Sequence, residues 1–282
     1  MPALLAHEAA TRLTIFAGVL LAMLALEARA PRRIATSPTA LRRANNLALL
    51  LVDTALVRLL FPVLAVGLAL ERQGAGLIPL LGLPPWLQMV VAIILLDLAI
   101  YWQHRLFHAV PLLWRLHMVH HADPDFDVTT ALRFHPGEII LSMLFKLALV
   151  WLLGPPAVAV MLFELLLNAC AMFNHGNVRL PAGLDARLRR LIVTPDMHRV
   201  HHSVLPQEQQ SNFGFCLSLW DRWLGTHAPQ PQGGHGAMRI GLAATAPRPR
   251  DLWLDRLILL PWQRLPPTGP QPTRPRPTGP RQ

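Results

Sequence analysis

Apolar runs joined by short polar segments make up the first two thirds of this chain. The first, LTIFAGVLLAMLALEA at 13–28, is slightly short for a membrane helix and matches a signal-peptide core in length, but only Arg12 precedes it. Arg29, Arg32, Arg33, Arg42 and Arg43 follow it, so the run predicts a span with its N-terminus outside and its C-terminal end cytoplasmic. A second run, Leu47 to Leu70, is long enough to cross back, with Asp53 and Arg58 expected to snorkel or pair near the basic end. Glu71 to Pro85 carries glycine, proline and one arginine and reads as an external connection. A third span over Trp86 to Gln103 returns the chain to the cytoplasm. The runs Ile139 to Leu153 and Ala157 to Phe173 flank Gly154-Pro155-Pro156, the pattern of a tight turn between two further spans. Lys146 and Glu164 are unusual inside such spans and are candidates to pair across that hairpin.

The periodicity therefore predicts an all-α fold, a polytopic membrane helical bundle. Composition agrees: 52% of the 282 residues are hydrophobic and 15% charged, the balance of an integral membrane domain. The formal net charge of +10 comes almost wholly from arginine, since Lys146 is the only lysine. These arginines are dispersed among apolar runs and form no stripe with stacking aromatics, which argues against nucleic acid and for anionic lipid headgroups. Cys170 and Cys216 belong to no CxxC pattern, and no disulfide is expected.

The chemistry lies at the span ends. DLAIYWQHRLFHAVPLLWRLHMVHH, Asp97 to His121, passes from an apolar helix into His104, His108, His117, His120 and His121. Much later, His198, His201 and His202 in DMHRVHH repeat the spacing of HMVHH. Positions i, i+3 and i+4 share one helix face, so each cluster aims several imidazoles at one point. Imidazole suits zinc, copper, iron and nickel, and eight such ligands exceed what one ion can use. Two metal ions are the expected content. His175, in FNHGNVRLP, emerges from its span at the depth of the first cluster and is a ninth candidate. Asp97 lies two turns before His104 on nearly the same face, where a carboxylate can orient an imidazole. His135 stands before the fourth span as a ligand, an outer donor or a helix-start residue. His7, His227 and His235 have no ligand spacing. From His175 onward the chain carries 14 arginines, so all the histidine clusters are expected on the cytoplasmic side. SNFGFCLSLWDRWLGT, 211–226, is suited to packing over such a site; DLWLDRLILLPW, 251–262, to lying along the interface; and the proline- and arginine-rich 264–282 to forming a disordered tail.

With those stretches in hand the chain resembles the fatty acid hydroxylase superfamily, which includes sterol desaturases and lipid hydroxylases. YWQHRLFH, LWRLHMVHH, TTALRFHPGE, NHG, TPDMHRVHHS, NFG and WDRWLGT carry the resemblance in the expected order over about 97–226. It implies a catalytic domain at 86–263, while the N-terminal spans and loop at 1–85 and the tail at 264–282 carry no such signature. It also implies a membrane di-iron oxygenase that hydroxylates or desaturates a C–H position of a lipid or sterol-like substrate, with O2 as co-substrate. Metal ligation by His104, His108, His117, His120, His121, His175, His198, His201 and His202 follows from it, with Asp97, Asn174, Asp196 and His135 as outer candidates. Where the family often has another histidine a turn before His175, this chain has Ala171. No haem, flavin or iron–sulfur segment is recognisable, so two electrons per O2 are expected from a separate cytochrome, ferredoxin or reductase. A membrane zinc hydrolase or a metal transporter are the alternatives. The first lacks HExxH, and the second would place ligands along a route through the bilayer. The alanine, arginine and proline bias hints at a GC-rich bacterial source and an inner-membrane location.

Overall fold

The computed structural model describes residue 5, residues 7–242 and residues 248–263; the predicted tail at 264–282 lies outside them. Among the described residues the chain is helical, with isolated bridges in place of strands. Five helical stretches are long and apolar enough to cross a membrane: Glu8–Arg29, Thr39–Glu71, Pro85–Ala109, Pro136–Leu153 and Ala157–Asn174. We label the helices α1 (Glu8–Arg29), α2 (Thr39–Leu60), α3 (Ala65–Glu71), α4 (Pro85–Ala109), α5 (Pro111–His121), α6 (Pro136–Leu153), α7 (Ala157–Asn174), α8 (Ala182–Leu188), α9 (Pro195–His201), α10 (Leu219–Trp223) and α11 (Leu254–Leu259).

Helix α7 is the hub, packed against α1, α3 and α4, and it buries half of its apolar window, whereas α1 leaves most of its leucines facing outward. That division is expected where lipid, not water, is the outer solvent. Ala65, Val66 and Ala69 of α3 pack with Val150 of α6 and Val160 and Met161 of α7 at the end remote from the histidines. Gly154 closes α6 at φ +58°, and a Cβ there would stand 1.8 Å from the Ala75 carbonyl oxygen, so the α6–α7 turn and the 74–76 loop meet backbone to backbone.

Several helices run further than their apolar stretches. Helix α2 starts eight residues before Leu47, because Arg42 and Arg43 are held in place: Arg42 pairs with Asp123 (2.9 Å) and Asp127, and Arg43 with Asp127 (2.8 Å) and Glu27 (3.1 Å). The second span is interrupted between Leu60 and Ala65, where Pro62 supplies no N–H, and α3 resumes it. Helix α4 continues past Gln103 to Ala109 and so carries His104 and His108 on a rigid rod. Asp53 forms no ion pair among the described residues; it is buried, and its Oδ1 has no hydrogen-bond partner there. Lys146 and Glu164 do pair across the hairpin at 2.7 Å, and Arg12 of α1 joins them at 2.6 Å. Helix α11 sits less freely than an interfacial segment would: Leu257 is buried against Leu49 and Val119, while Trp253 and Trp262 stay exposed.

The loop 30–38, the C-terminus of α4, the N-terminus of α6 and the C-terminus of α7 all meet at one end of the bundle. Arg32 N–H donates to the Asn177 carbonyl, and Thr36 N–H to Asp125. The segments 110–135 and 175–242 fold over this end as a cap.

Candidate metal centre

Each imidazole reaches the centre from a short, well-anchored piece of chain. His104 and His108 lie one turn apart on α4, His117, His120 and His121 end α5, His175 follows α7, and His198, His201 and His202 end α9. Prolines at the first helical positions of α5 and α9 fix where those helices begin, and hence which faces their histidines occupy. All nine rings are buried. They fall into two groups, His104, His108, His117, His121 and His201 in one and His120, His175, His198 and His202 in the other. In each, every ring offers a nitrogen within 4.8 Å of the others. His121 and His202 stack at 4.5 Å between ring centres and join the groups.

The rings are turned by their outer nitrogens. His104 Nδ1–H donates to the Phe213 carbonyl (2.9 Å), His120 to that of Arg133 (3.2 Å), His175 to that of Ala171 (2.7 Å) and His201 to that of Ser211 (2.7 Å). His117 Nδ1 lies 2.7 Å from Glu138 Oε1. A neutral ring that donates through Nδ1 has a bare lone pair at Nε2. Nε2 of His104, His117 and His201, and both nitrogens of His108, His121 and His202, have no hydrogen-bond partner among the described residues. His120 and His175 set their Nε2 atoms 3.0 Å apart, two lone pairs facing each other. So many orphaned buried acceptors converging on two points would be costly without a shared cation, and neutral imidazole donors suit a transition metal. The residues present fit two such ions.

Burial, reinforced by neighbouring rings, holds His120, His121, His198 and His202 well below the usual imidazole range. Burial likewise lowers His175 and His201 to about 3. These six rings are therefore neutral at pH 7, the state a metal requires. Phe134 stacks on His120 (4.6 Å), Trp114 lies against His108 (4.9 Å), and Phe126 stacks on His175 (5.4 Å) under the Arg199 guanidinium. This aromatic wall separates the imidazoles from water.

The four outer candidates touch none of these rings. Asp97 does not orient His104. Its carboxylate accepts from Trp220 Nε1 (2.7 Å), Leu217 N–H (3.1 Å) and Cys216 N–H (3.3 Å), pinning the loop whose Phe213 carbonyl holds His104. The same loop therefore takes up both the Asp97 carboxylate and the His104 ring. Asn174 donates to the Phe215 carbonyl (3.0 Å) in the same loop. Asp196 pairs with Arg32 (3.0 Å) and Arg199 and faces His235 at 3.6 Å, tying α9 to the 30–38 loop. His135 caps α6, accepting from Gly137 N–H at Nδ1 (2.9 Å) and donating from Nε2 to the Ile258 carbonyl (3.1 Å), which makes it a helix-start residue.

Sequence reasoning missed the supports that matter most. Glu138 was visible in RFHPGE but carried no ligand spacing. Arg133 is fully buried, donating to the Val119 carbonyl (2.8 Å) and Asn46 (3.2 Å) while its own carbonyl holds His120. Asp221 accepts from Phe213 N–H (2.7 Å) and Gly214 N–H (2.9 Å), and burial pushes its carboxyl up to about 6. Gly214 is required there, since a Cβ would lie 2.8 Å from Asp221 Oδ2 and from the Leu217 carbonyl oxygen.

Residues 89–226 match the family model described as fatty acid hydroxylase. Among curated proteins, the chain is 32% identical over 153 residues to the ornithine lipid hydroxylase OlsE of Rhizobium tropici, covering 53% of this chain and 44% of that one. It is 34% identical over 135 residues to the alkylglycerol monooxygenase of Danio rerio, covering 48% and 29%, and 30% identical over 135 residues to that of Homo sapiens, covering 46% and 28%. The chain thus spans less than half the length of these relatives. No solved structure matches it.

Proposed function

This chain belongs to the fatty acid hydroxylase superfamily, and from that premise we propose that it is a membrane di-iron oxygenase that hydroxylates a lipid. The observation that carries the reading is the pair of buried imidazole groups, nine rings and no carboxylate among the candidate ligands, at the end of a bundle of membrane helices. His104, His108, His117, His121 and His201 would hold one ion and His120, His175, His198 and His202 the other. Two iron ions held there would supply the redox chemistry, reduction of O2 and oxidation of an unactivated C–H bond. The balance is R–H + O2 + 2e⁻ + 2H⁺ → R–OH + H2O, so an external donor delivers two electrons per turnover.

What the chain's own residues do is hold geometry and exclude water. Carbonyls of Phe213, Arg133, Ala171 and Ser211 fix the tautomers of four rings, so that their Nε2 atoms face inward before any ion arrives. Phe126, Phe134 and Trp114 keep the site dry, which suppresses wasteful reduction of O2 away from substrate. Helix α4 both crosses the bundle and carries two of the imidazoles, so an acyl or ring-bearing lipid reaches the site from the bilayer. Arg29, Arg32, Arg33 and the arginines of the 175–242 cap lie at the same end as the site, which supports a cytoplasmic face. The relatives' printed names, a lipid hydroxylase and a monooxygenase, favour hydroxylation over desaturation and a lipid with a polar headgroup.

Purified protein decides among classes. Two irons per chain with reductant-dependent O2 consumption support the oxygenase. Bound zinc without O2 use would replace it with a hydrolase, and metal flux across vesicles without chemistry would replace it with a transporter.

A further inference from the structure

One support of the nine rings differs in kind from the rest. His104, His120, His175 and His201 lean on neutral backbone carbonyls, whereas His117 leans on the side chain of Glu138 at 2.7 Å. Among the described residues no other carboxylate touches a ring of either group. Glu138 is the third residue of α6, in its first turn, on a different helix from His117. It is buried at 5% exposure, and among the described residues its second oxygen has no hydrogen-bond partner and no other donor competes with His117 for the carboxylate. At this depth solvent screens the interaction little.

We propose that Glu138 is a positioning residue that makes the two metal sites unequal, the five-histidine group being the tighter and more electron-rich. The inference rests on the reading of both groups as metal sites. An anion accepting the Nδ1 proton draws that proton toward itself and raises the electron density at Nε2, strengthening that ring as a donor. Only the group containing His117 receives this support. The four-histidine group has carbonyl anchors alone.

The test is Zn2+ binding to the metal-stripped full chain in detergent, titrated against a chelator of known affinity. The proteins are wild type, Glu138→Gln and Glu138→Ala. Glutamine keeps the size and an acceptor oxygen but removes the charge, so a purely structural role predicts wild-type behaviour for it. The proposal predicts that Glu138→Gln weakens one of two ions by about 10–100-fold and leaves the other unchanged. In 57Fe-loaded protein it predicts that one of two Mössbauer doublets moves. Unchanged melting of the metal-free Gln variant separates this effect from misfolding. Glu138→Gln retaining both ions at wild-type affinity, or losing both equally, overturns the proposal. Wild type that takes up fewer than two ions overturns instead the metal reading beneath it.

Discussion

Asp97→Ala should loosen the cap and, through it, the five-histidine group. In the native chain the buried Asp97 carboxylate receives Trp220 Nε1 at 2.7 Å and Leu217 N–H at 3.1 Å, with Cys216 N–H at 3.3 Å adding less. Alanine leaves the two well-placed donors buried without an acceptor, at about 1.5–2.5 kcal/mol each, so the loss is about 3–5 kcal/mol. For a chain of this size that corresponds to a drop in melting temperature of roughly 10 °C. Asparagine keeps one acceptor oxygen that two donors can share, and should lose about 1–2 kcal/mol. The cap loop also carries the Phe213 carbonyl that holds His104, so the alanine variant should lose an ion from the five-histidine group first. Melting followed by tryptophan fluorescence, in which Trp220 reports directly, and metal per chain on the same samples make the measurement. An alanine variant that melts within about 2 °C of wild type with its full metal content would refute the reasoning.

Removing one ligand from either group alone should cost one ion, not two: His201→Ala and His175→Ala are each expected to hold one metal per chain by elemental analysis, and the double variant none. Glu164→Gln leaves Lys146 and Arg12 inside the bundle without their shared counter-charge and should destabilise by about 3–5 kcal/mol, with Lys146→Met added to it recovering part of the loss in a melting series. For Asp127, burial raises the carboxyl, but Arg42, Thr129 and Arg43 outweigh it and hold it below its ordinary value. Its folded value is thus depressed, so the stability it contributes is present above the unfolded carboxylate value of about 3.9 and is lost as pH falls through the folded value. Melting curves should decline below about pH 4 in wild type, and the decline should be shallower in Asp127→Asn.

The spans and the imidazoles were legible because their signals are local. Long apolar runs report helices that face lipid, and HxxHH spacing reports rings on one face whatever the tertiary context. The supports were not legible, because they come from residues distant in sequence. For Asp97, nothing in the neighbouring sequence announces that residues 216–220 return to meet it, 119 or more residues later. Backbone carbonyls such as those of Phe213 and Ser211 have no sequence signature. Glu138 had one in RFHPGE, yet its partner His117 lies 21 residues away on another helix. Helix α2 was read as starting too late for a related reason, since its first turns are stabilised by acids from the 123–127 loop and not by apolar burial.

The most direct test of the central claim is isotope-resolved lipid analysis of membranes containing the wild-type chain or the His120→Ala, His201→Ala variant, incubated under 18O2 with a reconstituted reductase and electron carrier. The account predicts a lipid that gains one 18O atom only with the intact chain. Identical lipid profiles in the two membranes, with iron loading and electron delivery confirmed for the wild type, would contradict it.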